Sequence, residues 1–481
     1  MGACYAGPDR SVSPGWHGGQ RRLPDRPMRR LCAMLGALAL TAAPAVAQAQ
    51  RLTAEKYRLD NGLEVILHED HRTPVVSVNV WYHVGSKDEA AGKNGFAHLF
   101  EHVMFQGSKH VAEDTFFKYL QSAGASDTNG TTNTDRTNYF ETLPANRLEL
   151  ALWLESDRMG FLLDHADQKT FENQREVVKN ERRQNYENAP YGLVHQFVSA
   201  ALFPPDHPYH RLTIGTPEDL DRASLDDVRS FFRTYYVPNN ASLVVAGDID
   251  VARTKDLIGR YFGPIVRRPD PPVKTTPAPV APRGETRLKI EAEVELPRVT
   301  LSWVSPPMFA PGDAELDAVA LLLDQGKSSR LQKRLVRELQ IAQDVSVGQA
   351  SSQLASTFDI TVTLRPGKSP DEALKVIDEE LAKLRATPPT ADEVERARSQ
   401  LLAHLVFANE KVSARANLLN HYNQLTGDPG FMEKDVARYR ALSASSLQQA
   451  VVAHLAADRR VVAVVIPTPG APRAGRLAGA P

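Results

Sequence analysis

Three residues in one short stretch have the types and spacing to do chemistry together. His98, Glu101 and His102 lie within Gly95-Phe96-Ala97-His98-Leu99-Phe100-Glu101-His102-Val103-Met104-Phe105-Gln106-Gly107-Ser108. On a helix, residues four apart leave the same face one turn apart, so His98 and His102 can take two corners of a tetrahedral zinc ion. Glu101 borders that face, and its carboxylate can take a proton from a zinc-bound water without being a ligand. The order H-x-x-E-H reverses the commoner H-E-x-x-H zinc signature. Leu99, Phe100, Val103 and Phe105 provide the apolar side that buries the rest of the helix. With 14 histidines in 481 residues, a chance match is uncommon but not negligible, so a third ligand and its context must carry the argument.

A hydrolytic zinc site keeps three protein ligands and one open position. The charged stretch 168–187 reads as a helix offering Glu172, Glu176, Glu181 and Glu187, and these residues by themselves leave the choice open. At this point residues 95–107 resemble the inverzincin motif of the pitrilysin, insulinase and mitochondrial processing peptidase family. In that family a glutamate on a second helix completes the site. Its pattern is similar to Arg175-Glu176-Val177-Val178-Lys179-Asn180-Glu181, so the resemblance implies Glu181 as the third ligand, with Glu176 the competing choice. A further family glutamate, seven residues before the ligand, falls on Gln174. Late first-domain segments (Asp206-His207-Pro208-Tyr209, Thr213-Ile214-Gly215-Thr216) and the turn Gly326-Lys327-Ser328-Ser329-Arg330-Leu331 also look like the family. His207 and His210 read as structural.

The resemblance implies a zinc metallopeptidase with one zinc per chain and Glu101 as general base, acting on short or unfolded peptides in an enclosed chamber. It also implies that Asn129, Gly130, Thr131 and Thr132 form an edge strand on which substrate adds as an extra strand. The alternative is a non-catalytic structural or assembly subunit on the same fold. One departure bears on partners. Family members carry an Arg and a Tyr, seven apart, just after the Ser-Ser-Arg-Leu turn, where this chain has Val336 and Gln343. Arg415 and Tyr422 have the right separation but belong to a different helix, and Arg337 is a neighbour that could substitute. A half with zinc ligands and no such pair implies a heterodimer with a paralogue that supplies it, or else a homodimer.

The elements that must position these residues follow a doubled plan. Residues 57–70 read as two strands around an Asn61-Gly62 turn, and 75–84 and 241–248 as further strands. Helices are expected at 115–123, 147–164, 168–187 and 224–235, the last capped by Ser224. Prolines crowd 264–284, which reads as a stiff linker. Beyond it, strands at 299–304, 358–364 and 461–467 and helices at 313–323, 369–386, 390–407 and from Ser446 echo the first half. The fold class expected is α+β: two homologous α/β-sandwich halves, 50–263 carrying the zinc and 285–468, followed by a flexible tail, 469–481.

Composition narrows the setting. At 42% hydrophobic and 24% charged the chain is globular in profile. A net charge of −1 gives no global pull toward nucleic acid or an anionic membrane. Arg29-Arg30, an apolar run from Leu31 to Leu40 and Ala45-Val46-Ala47 or Ala47-Gln48-Ala49 read as a signal peptide within leader 1–49, with Met28 as the expected start. Both cysteines, Cys4 and Cys32, fall in that leader, so disulfides and thiolate chemistry are excluded from the mature chain. An exported, periplasmic protein without a membrane span is expected.

Overall fold

The computed structural model describes residues 52–272, 277, 280 and 284–479. The expected leader and part of the proline-rich stretch lie outside them. The first half contributes β1 (Glu55–Arg58), β2 (Glu64–Glu69), β3 (Val75–Tyr82), β4 (Ser126–Thr132), β5 (Thr137–Pro144) and β6 (Ala241–Gly247). They form one sheet in the order β1-β2-β6-β3-β5-β4, parallel only where β2 meets β6. The Asn61-Gly62 turn joins β1 to β2, with Gly62 at φ +93°. Asn61 does more than turn the chain, since its side-chain amide donates to Phe262 O (2.7 Å) and Ile265 O (2.9 Å).

The second half contributes β7 (Thr286–Ala292), β8 (Arg298–Ser305), β9 (Ala342–Ala350), β10 (Ser356–Leu364), β11 (Val461–Pro467) and β12 (Arg476–Leu477). Their order, β12-β7-β11-β8-β10-β9, repeats the first sheet, with β7 and β11 again the parallel pair. The architecture is α+β, two helix-packed mixed sheets of one plan. β7 and β9 went unassigned from sequence; β9 alternates apolar and polar only weakly, because it is a sheet edge with much of its length exposed.

Helices of the first half are α1 (Phe96–Val103), α2 (Phe116–Ser122), α3 (Leu148–Phe161), α4 (Gln168–Arg182), α5 (Val194–Leu202), α6 (Pro217–Arg222), α7 (Leu225–Tyr235) and α8 (Val251–Phe262). Those of the second are α9 (Asp313–Asp324), α10 (Pro370–Ala386), α11 (Ala391–Ala408), α12 (Val412–Thr426), α13 (Met432–Arg440) and α14 (Ala444–His454). α7 starts on a reciprocal cap between Ser224 and Asp227. α14 starts two residues before the expected Ser446, because Ser443 is the residue whose side chain caps it.

The two halves exchange helices. α12 comes from the second half but lays Val412, Ala416, Leu419 and Tyr422 on Ile66, Val244 and Ala246 of the first sheet. α5 comes from the first half and lays Val194, Val198 and Leu202 on Ile290, Val461 and Val465 of the second. A buried side chain such as Leu419 contributes roughly 1.5–3 kcal/mol, so each crossing fastens one half to the other. It also explains why β3 is buried from Val76 through Tyr82: both faces of the first sheet are covered. The expected flexible tail is corrected over its described part, 469–479. β12 pairs with β7, and Arg473 O and Ala474 O accept from the Tyr191 and Leu193 amides. Among the described residues no helix is long and apolar enough to cross a membrane.

Candidate metal centre

α1 opens on Gly95, held at φ +93°, a region that disfavours any side chain. A Cβ there would also stand 2.8 Å from Ile214 O and 2.9 Å from Gly215 Cα. The first N–H groups of a helix need acceptors. Glu89 provides them, its carboxylate accepting from Gly95 N (3.0 Å) and Ala97 N (2.8 Å). Phe96, Leu99, Phe100 and Val103 bury one face, with the Phe100 ring 4.3 Å from that of Tyr236. His98 and His102 therefore project from the other, their rings 4.9 Å apart and nearly perpendicular.

α4 packs along α1 and completes the cluster. Glu181 Oε2 lies 3.7 Å from His98 Nε2 and 3.3 Å from His102 Nε2. Ligands about 2.0–2.1 Å from a tetrahedral zinc stand roughly 3.3–3.4 Å from one another, so this donor set fits that ion. These three residues are the only His/Cys/Asp/Glu group of such a kind among the described residues. The other glutamates of the stretch are engaged elsewhere: Glu172 with Gln168, Glu176 with Lys179 and Glu187 with Arg182. Gln174 is buried. Just past Glu181 the helix widens into a π-helical turn, Arg183–Glu187, a distortion common at functional sites.

The electrostatics suit a cation. Burial, reinforced by the neighbouring His102, pulls the His98 imidazole down to about 4. The hydrogen bond with His102 holds the Glu181 carboxyl below its usual range against some burial. A neutral imidazole and an ionised carboxylate are the forms that bind metal. Burial lifts the Glu101 carboxyl, and the Thr132 hydroxyl, donating to Glu101 Oε2 at 2.5 Å, opposes that rise.

The four strand residues expected to meet substrate all lie on β4, the edge of the first sheet. Asn133 N–H bonds to Arg136 O, so by alternation the backbone groups of Gly130 and Thr132 face the open edge. Gly130 lies over the site, where a Cβ would come within 3.1 Å of Glu101 Cγ. Asn129 Oδ1 accepts from Gly130 N (2.9 Å). The side chain of Thr132 serves Glu101, and that of Thr131 donates to Asn138.

Val336 packs on the second core, and Gln343 is exposed on β9. Arg415 and Tyr422 are committed inside the fold, to Asp70 and Asp435, and Arg337 bonds Lys327 O. Sequence reasoning missed Glu89, Arg182 and the contact of Gly95 with Gly215. Arg182, next to Glu181, donates to Gly215 O (2.6 Å), which ties the glutamate's helix to the start of α1. Glu89 lies six residues before Gly95, outside the spacing of a local capping box.

Known proteins resemble this chain along most of its length. The family model described as Insulinase (Peptidase family M16) matches residues 64–214, and the Peptidase M16 inactive domain matches residues 222–401. The chain is 30% identical over 403 residues to the zinc protease PqqE of Helicobacter pylori, covering 82% of this chain and 89% of that one. It is 25% identical over 383 residues to the beta subunit of the mitochondrial-processing peptidase of Lentinula edodes, covering 74% and 78%. The crystal structure of a protease from Helicobacter pylori superposes with a TM-score of 0.79 at 27% identity, over 86% of this chain and 100% of that one.

Proposed function

The chain belongs to the insulinase family, peptidase family M16, and on that premise we propose that it is a zinc-dependent endopeptidase. The observation that carries the reading is the convergence of His98 Nε2, His102 Nε2 and Glu181 Oε2 beside the buried carboxylate of Glu101. His98, His102 and Glu181 would hold one zinc ion. When bound, zinc supplies a Lewis acid for the scissile carbonyl and acidifies water.

Glu101 takes a proton from the attacking water and delivers it to the leaving amine nitrogen. Thr132 keeps that carboxylate oriented through its hydroxyl. Thr132 offers a backbone donor and acceptor and Gly130 a backbone acceptor to an extended peptide, which favours main-chain recognition over a particular sequence. Such binding, within an enclosed chamber, selects short or unfolded peptides. Val336 and Gln343 offer neither a guanidinium nor a phenol to substrate, which supports pairing with a paralogue that supplies them. The leader supports export to the periplasm, and N-terminal sequencing of the mature protein checks it.

The purified chain is expected to carry one equivalent of zinc by elemental analysis and to cleave unstructured peptides in a chelator-sensitive way. A chain without zinc or cleavage, alone or with a paralogue, would instead be a structural subunit. Single-chain activity equal to that of a co-expressed pair would reject the heterodimer.

A further inference from the structure

The edge strand that meets Glu101 ends at Thr132, and a four-residue turn leads into β5. That turn is fixed internally. Asn133 N donates to Arg136 O (3.0 Å), and Asn133 Oδ1 accepts from the amides of Asp135 (2.8 Å) and Arg136 (2.9 Å). The loop before α1 fixes it from one side, as Ser86 N donates to Asn133 O and Lys87 N to Thr134 O. A Cβ on Gly85 would stand 2.5 Å from both carbonyl oxygens, so the loop fits there only because Gly85 has no side chain.

The other side belongs to the second half. Asp135 is 8% exposed, yet its carboxylate is fully used. Oδ1 accepts from the Tyr209 hydroxyl at 2.5 Å, and Oδ2 accepts from the Gln353 amide, in the loop between β9 and β10, at 2.9 Å. Tyr209 Oη in turn accepts from the Leu354 amide at 3.0 Å. Asp135 O accepts from the side-chain amide of Gln424 on α12 at 3.0 Å. Burial and the Asp135 charge push the Tyr209 phenol up, so it stays a donor. Two partners of this one aspartate come from the second half, and a third, Tyr209, is itself anchored there. Three residues away, Thr132 touches Glu101.

We propose that Asp135 is a positioning residue for Glu101, through which the second half, lacking a metal cluster of its own among the described residues, sets the geometry of the first half's site. The assignment rests on the reading of Glu101 as the proton acceptor. The path is mechanical: Asp135 fixes the turn, the turn fixes the end of β4, and Thr132 then holds its hydroxyl on Glu101 Oε2. Small displacements far from the reacting atoms cost rate rather than binding. The second half thus acts as a clamp on the hairpin.

Asp135→Ala is expected to lower kcat by about 10- to 100-fold, with KM little changed and zinc stoichiometry intact. Thr132→Val lowers kcat in the same way. If Asp135 acts through Thr132, the double variant falls no further than the worse single one, because both remove one coupled unit. Losses that multiply, or zinc lost with the activity, would overturn the proposal. Should Asp135→Ala fail to fold, Tyr209→Phe removes the hydroxyl that joins Asp135 to the Leu354 amide, leaves the Gln353 bond to Asp135 in place and tests the same path, with a smaller loss of about fivefold. Amide hydrogen exchange gives an arm independent of turnover. Exchange across residues 129–132 rises in Asp135→Ala and Tyr209→Phe while that of α1 stays level, and an unchanged rate across 129–132 refutes the clamp. A wild-type chain that cleaves no peptide, alone or with a co-expressed paralogue, with the exchange result as expected, refutes the peptidase reading and leaves the clamp standing.

Discussion

Two helices of this chain begin alike and do different work. α1 and α9 occupy the same place in their halves, each between the strand that pairs with the hairpin and the hairpin itself. Each opens on a left-handed glycine, Gly95 at φ +93° and Gly312 at φ +98°. Three, six and seven residues past that glycine, α1 carries His98, Glu101 and His102, whereas α9 carries Glu315, Ala318 and Val319. α11 packs on α9 as α4 packs on α1. The scaffold is the same, and among the described residues only one copy carries a group of side chains that could hold a metal.

The difference lies in where each helix finds its N-terminal cap. In α9, Glu315 turns back and accepts from Gly312 N at 3.1 Å, so the third position serves the helix itself. In α1 that position is His98, and the cap comes from outside, from Glu89. Importing the acceptor frees the third position for His98. Five residues past the glycine the contrast reverses. α1 has Phe100 packed in the core against Tyr236, while α9 has Asp317, held by the Tyr439 hydroxyl at 2.9 Å and lifted to about 7 by burial and the nearby Asp313.

Four measurements would break or sharpen this comparison. The largest effect is expected from Glu101→Gln, which keeps zinc by elemental analysis but loses about 10²- to 10⁴-fold in kcat on a peptide, the share of a general base. Next is Val319→His, which puts an imidazole where α1 has His102. Val319 is fully buried in the second core, so denaturant unfolding should show a loss of roughly 2–4 kcal/mol, with no second zinc gained. A second equivalent of bound zinc would mean that the second half is closer to a working site than its packing indicates.

Asp317→Asn comes third. In the unfolded chain this carboxyl ionises near its ordinary value of 3.8, and in the folded chain near 7. Between those values the unfolded state binds fewer protons, so stability falls as pH rises from about 4 to 7 and is level above. The groups that set the shift are Asp313 on α9 and Asp435, Arg438 and Tyr439 on α13. Replacing Asp317 should flatten that slope and raise stability above pH 7 by roughly 1–3 kcal/mol, read from melts across the pH range. The smallest and most discriminating pair is Glu89→Ala with Glu315→Ala. Each removes a cap and costs about 0.5–2 kcal/mol, but only Glu89→Ala should weaken zinc affinity in a chelator competition. Equal zinc affinity in both would detach the imported cap from the site.

Much of the fold was legible because its signals are local. The Asn61-Gly62 turn, the Ser224 cap and the runs at 241–248 and 461–467 are each encoded within a few residues, and the matched order of elements on either side of the prolines exposed the doubled plan. What was missed is nonlocal. α5 went unassigned from sequence and α12 entered only as the helix of Arg415 and Tyr422, and nothing in their residues says that each will lie on the other half's sheet. The tail looked free because a two-residue strand pairs through backbone groups that any sequence carries.

By itself, then, the sequence determined that His98, Glu101 and His102 share one side of a helix, because the 3.6-residue period does so whatever surrounds it. Its resemblance to a known family singled out Glu181 from four candidates. Only the tertiary structure decided that Glu181 reaches the two histidines, that Glu89 replaces the cap His98 cannot provide, and that Asp135 joins the hairpin to the second half. Those contacts join residues brought together by packing of helix on helix and half on half. Backbone periodicity carries no information about such distances.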